Sequence, residues 1–207
     1  MDWATLFDRS PAGVRTESIT AALADRRADP QPSNGTPEAR HPRDVADPRE
    51  PSPARVVADA DVLAADLLVG GDARRALEVL WVHPWTTLVA SDALLADATA
   101  LIDRLADESL AADWRLAVDD WREPVTQPAG DHPALASAYR GGAMHVLSLD
   151  DDLTGSAAGA SLSTRLSVSV RAPAAFALLF DPASLYETVE DGPYPGPART
   201  SRGGDAA

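Results

Sequence analysis

Apolar positions recur at helix and strand spacing over residues 55–188, and this pattern predicts one α/β domain. Short apolar runs typical of buried strands alternate with longer amphipathic segments typical of helices. The predicted strands are 55–58, 86–90, 144–149 and 167–170. The predicted helices are 61–68, 73–81, 92–105, 133–140, 155–166 and 173–180, and one more that carries Leu110, Trp114, Val118 and Trp121. The alternation favours a three-layer sandwich with a central, mainly parallel sheet and helices on both faces.

Three segments flank this domain with other patterns. Residues 1–27 hold two short helical patterns, the second ending in Arg26 and Arg27. Isolated helices of this length are barely stable, so we interpret the segment either as a marginal helix pair or as a docking hairpin for a protein partner. Residues 28–54 carry seven of the 17 prolines and predict a disordered linker. Residues 189–207 have a similar composition and predict a disordered tail.

The charge composition narrows the class of protein. The chain carries 32 acidic and 18 basic residues, a net charge of −14, and every basic residue is Arg. An acid-rich chain without Lys is typical of a salt-accumulating halophile. Such a protein surface stays soluble in molar salt, where the Debye length is about 3 Å at 1 M. The lack of Lys excludes P-loop nucleotide hydrolases, protein kinases and Schiff-base enzymes. The lack of Cys excludes disulfides, zinc fingers and thiol nucleophiles.

No segment has the pattern of an export signal or a membrane span. The first ten residues are acidic and lack the cationic and apolar stretches of a signal peptide. Apolar runs such as 175–180 are far shorter than the roughly 18 residues that a bilayer requires. We therefore expect a soluble, cytoplasmic protein without membrane partners.

Carboxylates lie where a parallel sheet forms its sites, beyond the carboxyl ends of the strands. Four of them are candidates on position alone: Asp59, Asp97, Asp131 and Asp150. Asp59 and Asp150 follow predicted strands directly, and Asp61 and Asp152 come two residues after them. Carboxylates gathered at one edge repel each other unless a cation binds between them.

An all-oxygen set of this kind suits Mg²⁺ or Mn²⁺. One or two such ions lower the pKa of an attacking water and stabilise the charge that builds on a phosphodiester oxygen. The pattern therefore predicts metal-assisted hydrolysis without a covalent intermediate.

Four segments, in this order along the chain, resemble a PIN domain: 56–63 (VVADADVL), 91–97 (SDALLAD), 131–153 and 170–180. The resemblance covers about 55–182. A strand-ending Asp in a D-T-N-like turn matches Asp59, with Asp61 at the Asn position. An acid six residues after a Ser matches Asp97, and a helix-starting Asp matches Asp131. A T-x-D-x-D-L-like strand end matches 148–153.

The resemblance implies a PIN-like ribonuclease that uses Mg²⁺ or Mn²⁺ to cleave single-stranded or structured RNA. It implies catalytic, metal-binding roles for Asp59, Asp97, Asp131 and Asp150, metal binding by Asp152, and supporting roles for Asp61 and Ser148. The chain departs from the family pattern in having Asp97 for the usual Glu, Ala60 for Thr and an early Pro133. The family also contains members without catalysis, so an inactive interaction or regulatory module is the alternative.

A haloacid-dehalogenase-like phosphatase is the third interpretation. Residues 59–62 (DADV) resemble its nucleophile loop, and 150–152 resemble its late acidic pair. That family also needs a Lys or, more rarely, an Arg between these motifs, and it prefers Thr or Val where Leu63 stands. The expected partners are RNA and a protein at the N-terminal segment, and a homodimer is left open.

Overall fold

A computed structural model describes residues 2–28, 47–126, 131–155 and 168–203. Five strands form one all-parallel sheet in the order β3-β2-β1-β4-β5. The strands are β1 (Ser52–Ala58), β2 (Thr87–Ser91), β3 (Glu123–Val125), β4 (Ala143–Leu147) and β5 (Ser169–Arg171). The helices are α1 (Trp3–Asp8), α2 (Thr16–Ala28), α3 (Ala60–Leu68), α4 (Gly71–Val82), α5 (Asp92–Leu105), α6 (Glu108–Trp121), α7 (Pro133–Gly141), α8 (Asp151–Thr154), α9 (Pro173–Leu179) and α10 (Pro182–Val189).

The central strand β1 is apolar because both of its faces are covered. Val56, Val57 and Ala58 are at most 1% exposed. A strand buried on both faces shows a continuous apolar run instead of alternation. β1 pairs with β2 on one side and β4 on the other, and its carboxyl end is tied to β4 by the Asp59 N–H, which donates to the Leu147 carbonyl at 2.8 Å.

Helices cover the sheet, as the alternating pattern predicted. α3 packs against β1 and α5 against β2, and α7, which leads back to β4, packs against β1, β2 and β4. Ser91 caps α5, its Oγ accepting from the Leu94 N–H at 3.2 Å, as the sequence indicated. The predicted α/β class with a central parallel sheet is therefore confirmed.

The N-terminal helices α1 and α2 pack against α3, α5 and α6 of the same chain. Leu6 and Ile19 are fully buried and belong to the core that the domain forms. The Ser10 hydroxyl donates to the Leu67 carbonyl at 2.9 Å, and Arg9 pairs with Asp113 at 2.6 Å. The apolar side of this hairpin is thus covered by its own domain.

The segment after Val189 differs from the predicted disordered tail. As far as Gly203 it lies against α4: the Ala198 N–H donates to the Val82 carbonyl at 2.9 Å, and the Trp81 indole donates to the Thr200 carbonyl at 2.9 Å. Arg202 is buried. This segment is attached through a few separate residues, so its sequence has no periodic apolar pattern. Its composition alone therefore indicated disorder.

Short elements account for the other differences from the predicted pattern. β3, α8 and α10 were not predicted, and two of them have only three or four residues. β1 begins at Ser52, inside the predicted linker, and β4 ends at Leu147. Linker residues 29–46, the bulk of the predicted helix 155–166 and residues 204–207 lie outside the described ranges. No helix in the described ranges combines the length and apolarity that crossing a membrane requires.

Candidate functional site

Asp59 is the residue around which the site is organised. It follows β1 directly, at the carboxyl end of the central strand, and its side chain is fully buried. Its Oδ1 accepts a 2.7 Å hydrogen bond from the Ala60 N–H, where α3 begins. A carboxylate in such a place needs a cationic partner, because burial without one costs several kcal/mol, about the desolvation penalty of a single ion.

Arg27, in the last turn of α2, supplies that cation. Its Nη2 lies 2.7 Å from Asp59 Oδ1 and its Nη1 lies 3.2 Å from Oδ2, so the pair is bidentate. Its Nε also lies 3.6 Å from Asp97 Oδ2, and Arg26 Nε donates to Asp97 Oδ1 at 2.7 Å. Two neighbouring arginines thus neutralise two carboxylates that come from different elements.

His132 completes this group, which we call the acid–arginine cluster: Asp59, Asp97, Arg26, Arg27 and His132. Its Nε2 lies 3.1 Å from Arg27 Nη1. Because a guanidinium only donates, Nε2 accepts and the ring is neutral with its proton on Nδ1. Burial is the main cause of the lowered pKa of His132, and the charge of Arg27 adds to it. The acidic neighbours oppose this shift without cancelling it.

Asp61 lies behind the cluster and joins α3 to the loop after β4. Its Oδ2 accepts from the Leu149 N–H at 3.0 Å and from the Ser148 hydroxyl at 3.3 Å, and its Oδ1 accepts from the Val62 N–H at 2.6 Å. Burial and the negative charge of Asp59 raise the pKa of Asp61 to about 7. Asp61 and Ser148 therefore stabilise the loop that carries Asp150.

The remaining predicted residues lie further out. Asp150 is half-buried and caps α8, its Oδ1 accepting from the Asp152 N–H at 2.8 Å. Its N–H donates to the Ser148 hydroxyl at 3.0 Å, which ties it to the loop that Asp61 also binds. Asp131 and Asp152 are exposed, and within the described residues neither has a hydrogen bond or ion pair to Asp59 or Asp97.

In this structure the cations that neutralise Asp59 and Asp97 are the arginine side chains. In the part of the chain that the structure describes, no three His, Asp or Glu side chains are arranged to hold a metal ion. Two carboxylates do converge: Asp59 and Asp97 direct oxygens at the same guanidinium. Hard oxygen donors around one positive charge are what Mg²⁺ and Mn²⁺ use in proteins. Asp59 and Asp97 supply oxygen donors of this type, and in this structure Arg27 provides the positive charge between them.

Sequence reasoning did not place arginine in this site. Arg26 and Arg27 stood out only as a basic pair at the end of a predicted helix. The basic pair is also what the negative end of a helix dipole favours, so its presence there does not by itself indicate a distant carboxylate. Their roles depend on how α2 lies across α3 and α5.

Fold and site together define an α/β protein with a buried acid–arginine cluster at the carboxyl edge of a parallel sheet. The chain belongs to a family of unknown function, DUF7384, whose model matches residues 50–202. The match contains Asp59, Asp97 and His132 and extends to Arg202, and it leaves out α1 and α2. Comparison with curated proteins and with solved structures finds no match.

Proposed function

We propose that this protein is a divalent-metal-dependent ribonuclease whose site is the acidic edge around Asp59. One observation carries the proposal: Asp59 and Asp97, from two elements, converge on a single cationic group beyond the carboxyl end of the central strand. The carboxyl edge is where open parallel sheets build their sites. The PIN-like order of acidic motifs supports the same conclusion.

The acids of this chain would act as ligands. Asp59 and Asp97 would hold Mg²⁺ or Mn²⁺, and Asp131, Asp150 and Asp152 would join them from the rim. Such an ion supplies an activated water and offsets the charge on the phosphodiester oxygens. Neutral His132 offers Nε2 as a hydrogen-bond acceptor for a water or a ribose hydroxyl once Arg27 is displaced. In this proposal the substrate is RNA and the compartment is the cytoplasm.

The second candidate is a non-catalytic module. The observation that favours it is the same cluster: Arg26 and Arg27 already neutralise Asp59 and Asp97, so this fold satisfies its carboxylates without a metal. This candidate predicts no metal affinity. Metal binding therefore separates the two functions.

The test is an RNA cleavage assay with the full chain in molar KCl. Single-stranded and hairpin RNA are incubated with Mn²⁺, with Mg²⁺ or with EDTA. Asp59→Asn and Asp150→Asn are compared with Asp103→Asn, an exposed acid on α5 that serves as the matched control. We expect metal-dependent cleavage that both site variants lose and the control retains. Cleavage that survives in EDTA or in Asp59→Asn overturns the proposal.

A further inference from the structure

We infer that the last turn of α2 is a built-in plug: Arg26 and Arg27 occupy the cation position of the acidic site, and their withdrawal admits the metal. This inference rests on the proposed function and adds its regulation. It assigns the two arginines an inhibitory role, opposite to that of a substrate-binding arginine.

Charge balance makes the arginines and a divalent ion competitors for the same carboxylates. The two guanidinium groups bring two positive charges against Asp59 and Asp97, which equals the charge of one Mg²⁺ or Mn²⁺. Arg27 uses both oxygens of Asp59, leaving that carboxylate with the Ala60 N–H as its other partner. A metal ion at Asp59 would compete with Arg27 for these oxygens.

The plug can move without breaking the core. Ile19, Ala22 and Leu23 anchor the earlier turns of α2 in the core, whereas Ala24, Asp25 and Ala28 are exposed. The last turn is held by its two arginines and by an exposed contact of Asp25 with Arg104 at 3.2 Å. Terminal helical turns open at low cost, since their carbonyls have no partners further along the helix. Fraying from Ala24 onward is therefore enough to free the site.

The position of α2 outside the family match fits this role. The matched residues 50–202 contain the carboxylates, and the two arginines come from the preceding segment. The hairpin adds no strand to the sheet in the described ranges, so the sheet and its acidic edge do not depend on it for pairing. The two arginines thus come from a segment of the same chain that lies outside the matched domain.

Thermodynamic linkage gives the test. If Mn²⁺ and the arginines compete, removing the arginines raises Mn²⁺ affinity, and Mn²⁺ reciprocally releases the last turn of α2. We would titrate Mn²⁺ by calorimetry into the wild-type chain, into Arg26→Gln/Arg27→Gln and into Arg15→Gln/Arg75→Gln, a control of equal charge whose arginines are exposed and do not touch the last turn of α2. RNA cleavage is measured on the same samples. We expect the site variant to bind Mn²⁺ about tenfold or more tighter and to cleave faster at limiting Mn²⁺, with the control near wild type.

A crosslink tests the plug while keeping both arginines. The chain contains no Cys, so Asp25→Cys/Arg104→Cys gives a unique pair whose native side chains meet across α2 and α5. A short bis-maleimide then fixes the last turn of α2 in place. We expect the crosslinked protein to lose Mn²⁺ binding and cleavage that the uncrosslinked variant retains. The crosslinking experiment still tests the plug if the arginine variant fails to fold, because it keeps Arg26 and Arg27.

The outcomes separate the two proposals. Equal Mn²⁺ affinity and equal cleavage in the wild type and the arginine variant, or full activity after crosslinking, overturn the plug and leave the ribonuclease standing. Tighter Mn²⁺ binding without RNA cleavage supports the plug and overturns the ribonuclease. Absence of Mn²⁺ binding in every variant overturns both.

Discussion

Arg202 binds both carboxylate oxygens of Asp66, at 2.8 and 2.9 Å, although 136 residues separate them. The Arg202 side chain is inaccessible to solvent, and that of Asp66 is 2% exposed. Arg202 Nε also donates to Glu78 at 3.1 Å, and its guanidinium carbon lies 4.9 Å from the centroid of Trp3. One side chain therefore ties the C-terminal segment to α3, to α4 and to the N-terminal hairpin.

Replacing Arg202 should destabilise the whole domain. Arg202→Gln leaves the buried Asp66 carboxylate without its bidentate partner, and Arg74, whose Nε lies 3.9 Å from Oδ1, compensates only in part. We expect the free energy of unfolding to fall by about 3–5 kcal/mol. Urea unfolding at constant salt measures this change. Arg199→Gln is the matched control: Arg199 lies 4.9 Å from the centroid of Trp81, and its loss should cost only about 0.5–1 kcal/mol. Similar stability of the two variants would contradict the prediction.

The pair Arg27–Asp59 should show a clear coupling energy in metal-free protein. We expect the cycle of Arg27→Gln, Asp59→Asn and the double variant, unfolded in EDTA, to give about 1–3 kcal/mol, because Asp59 is buried and Arg27 is only 24% exposed. The exposed pair Arg15–Glu17 serves as the control and should show no measurable coupling. A coupling for Arg27–Asp59 as small as that of the control would mean that the cluster contributes nothing to stability.

Gly142 should resist substitution more than Gly71. Both have positive φ, of 65° and 56°, so an Ala at either position carries a strain of about 1–2 kcal/mol. A Cβ at Gly142 would also overlap the carbonyl oxygen of Glu50, whereas one at Gly71 meets open space. We therefore expect Gly142→Ala to lower the melting temperature well beyond Gly71→Ala. Equal melting temperatures would show that the chain before β1 yields easily.

His145 should make the folded state sensitive to acid. Burial lowers the pKa of His145 below its ordinary value of 6.5, and the charge of Arg171 adds to the effect. The unfolded chain therefore takes up this proton at a higher pH than the folded chain does. The stabilisation is complete above pH 6.5 and is lost as the pH falls through the lowered pKa.

His145→Gln, which stays neutral, should lose less stability than the wild type between pH 7.5 and pH 5. Thermal melting of both proteins across this range measures the difference. NMR titration of the His145 ring protons reports the pKa directly. Parallel stability curves for the two proteins would refute the assignment.

Local sequence was enough to predict most of the fold. The apolar run at 56–58 and the Ser91 cap depend on neighbours within a few residues, and the structure contains both. The position of Asp59 after a buried strand was equally visible. β3 escaped prediction because three residues, one of them Pro124, carry too little periodic information.

The charge pairing of the site was beyond local sequence. The chain has 18 Arg and 32 acidic residues, so any arginine has many potential partners, and only the packed helices choose among them. Arg27 finds Asp59 and Arg202 finds Asp66 across 32 and 136 residues, respectively. The predicted ligand roles of Asp59, Asp97, Asp131, Asp150 and Asp152 stay predictions until metal binding is measured.

The strand order also determines when each side of β1 can pair during synthesis of the chain. On the β2 side, Val56 pairs with Leu88. On the β4 side, Val57 pairs with Val146, which comes much later in the chain. Such distant pairing slows folding and leaves one edge of β1 open while the chain is still being synthesised. Open apolar edges invite association between chains. Synthesis at a pace that lets residues 143–147 arrive promptly should therefore favour soluble product over aggregate.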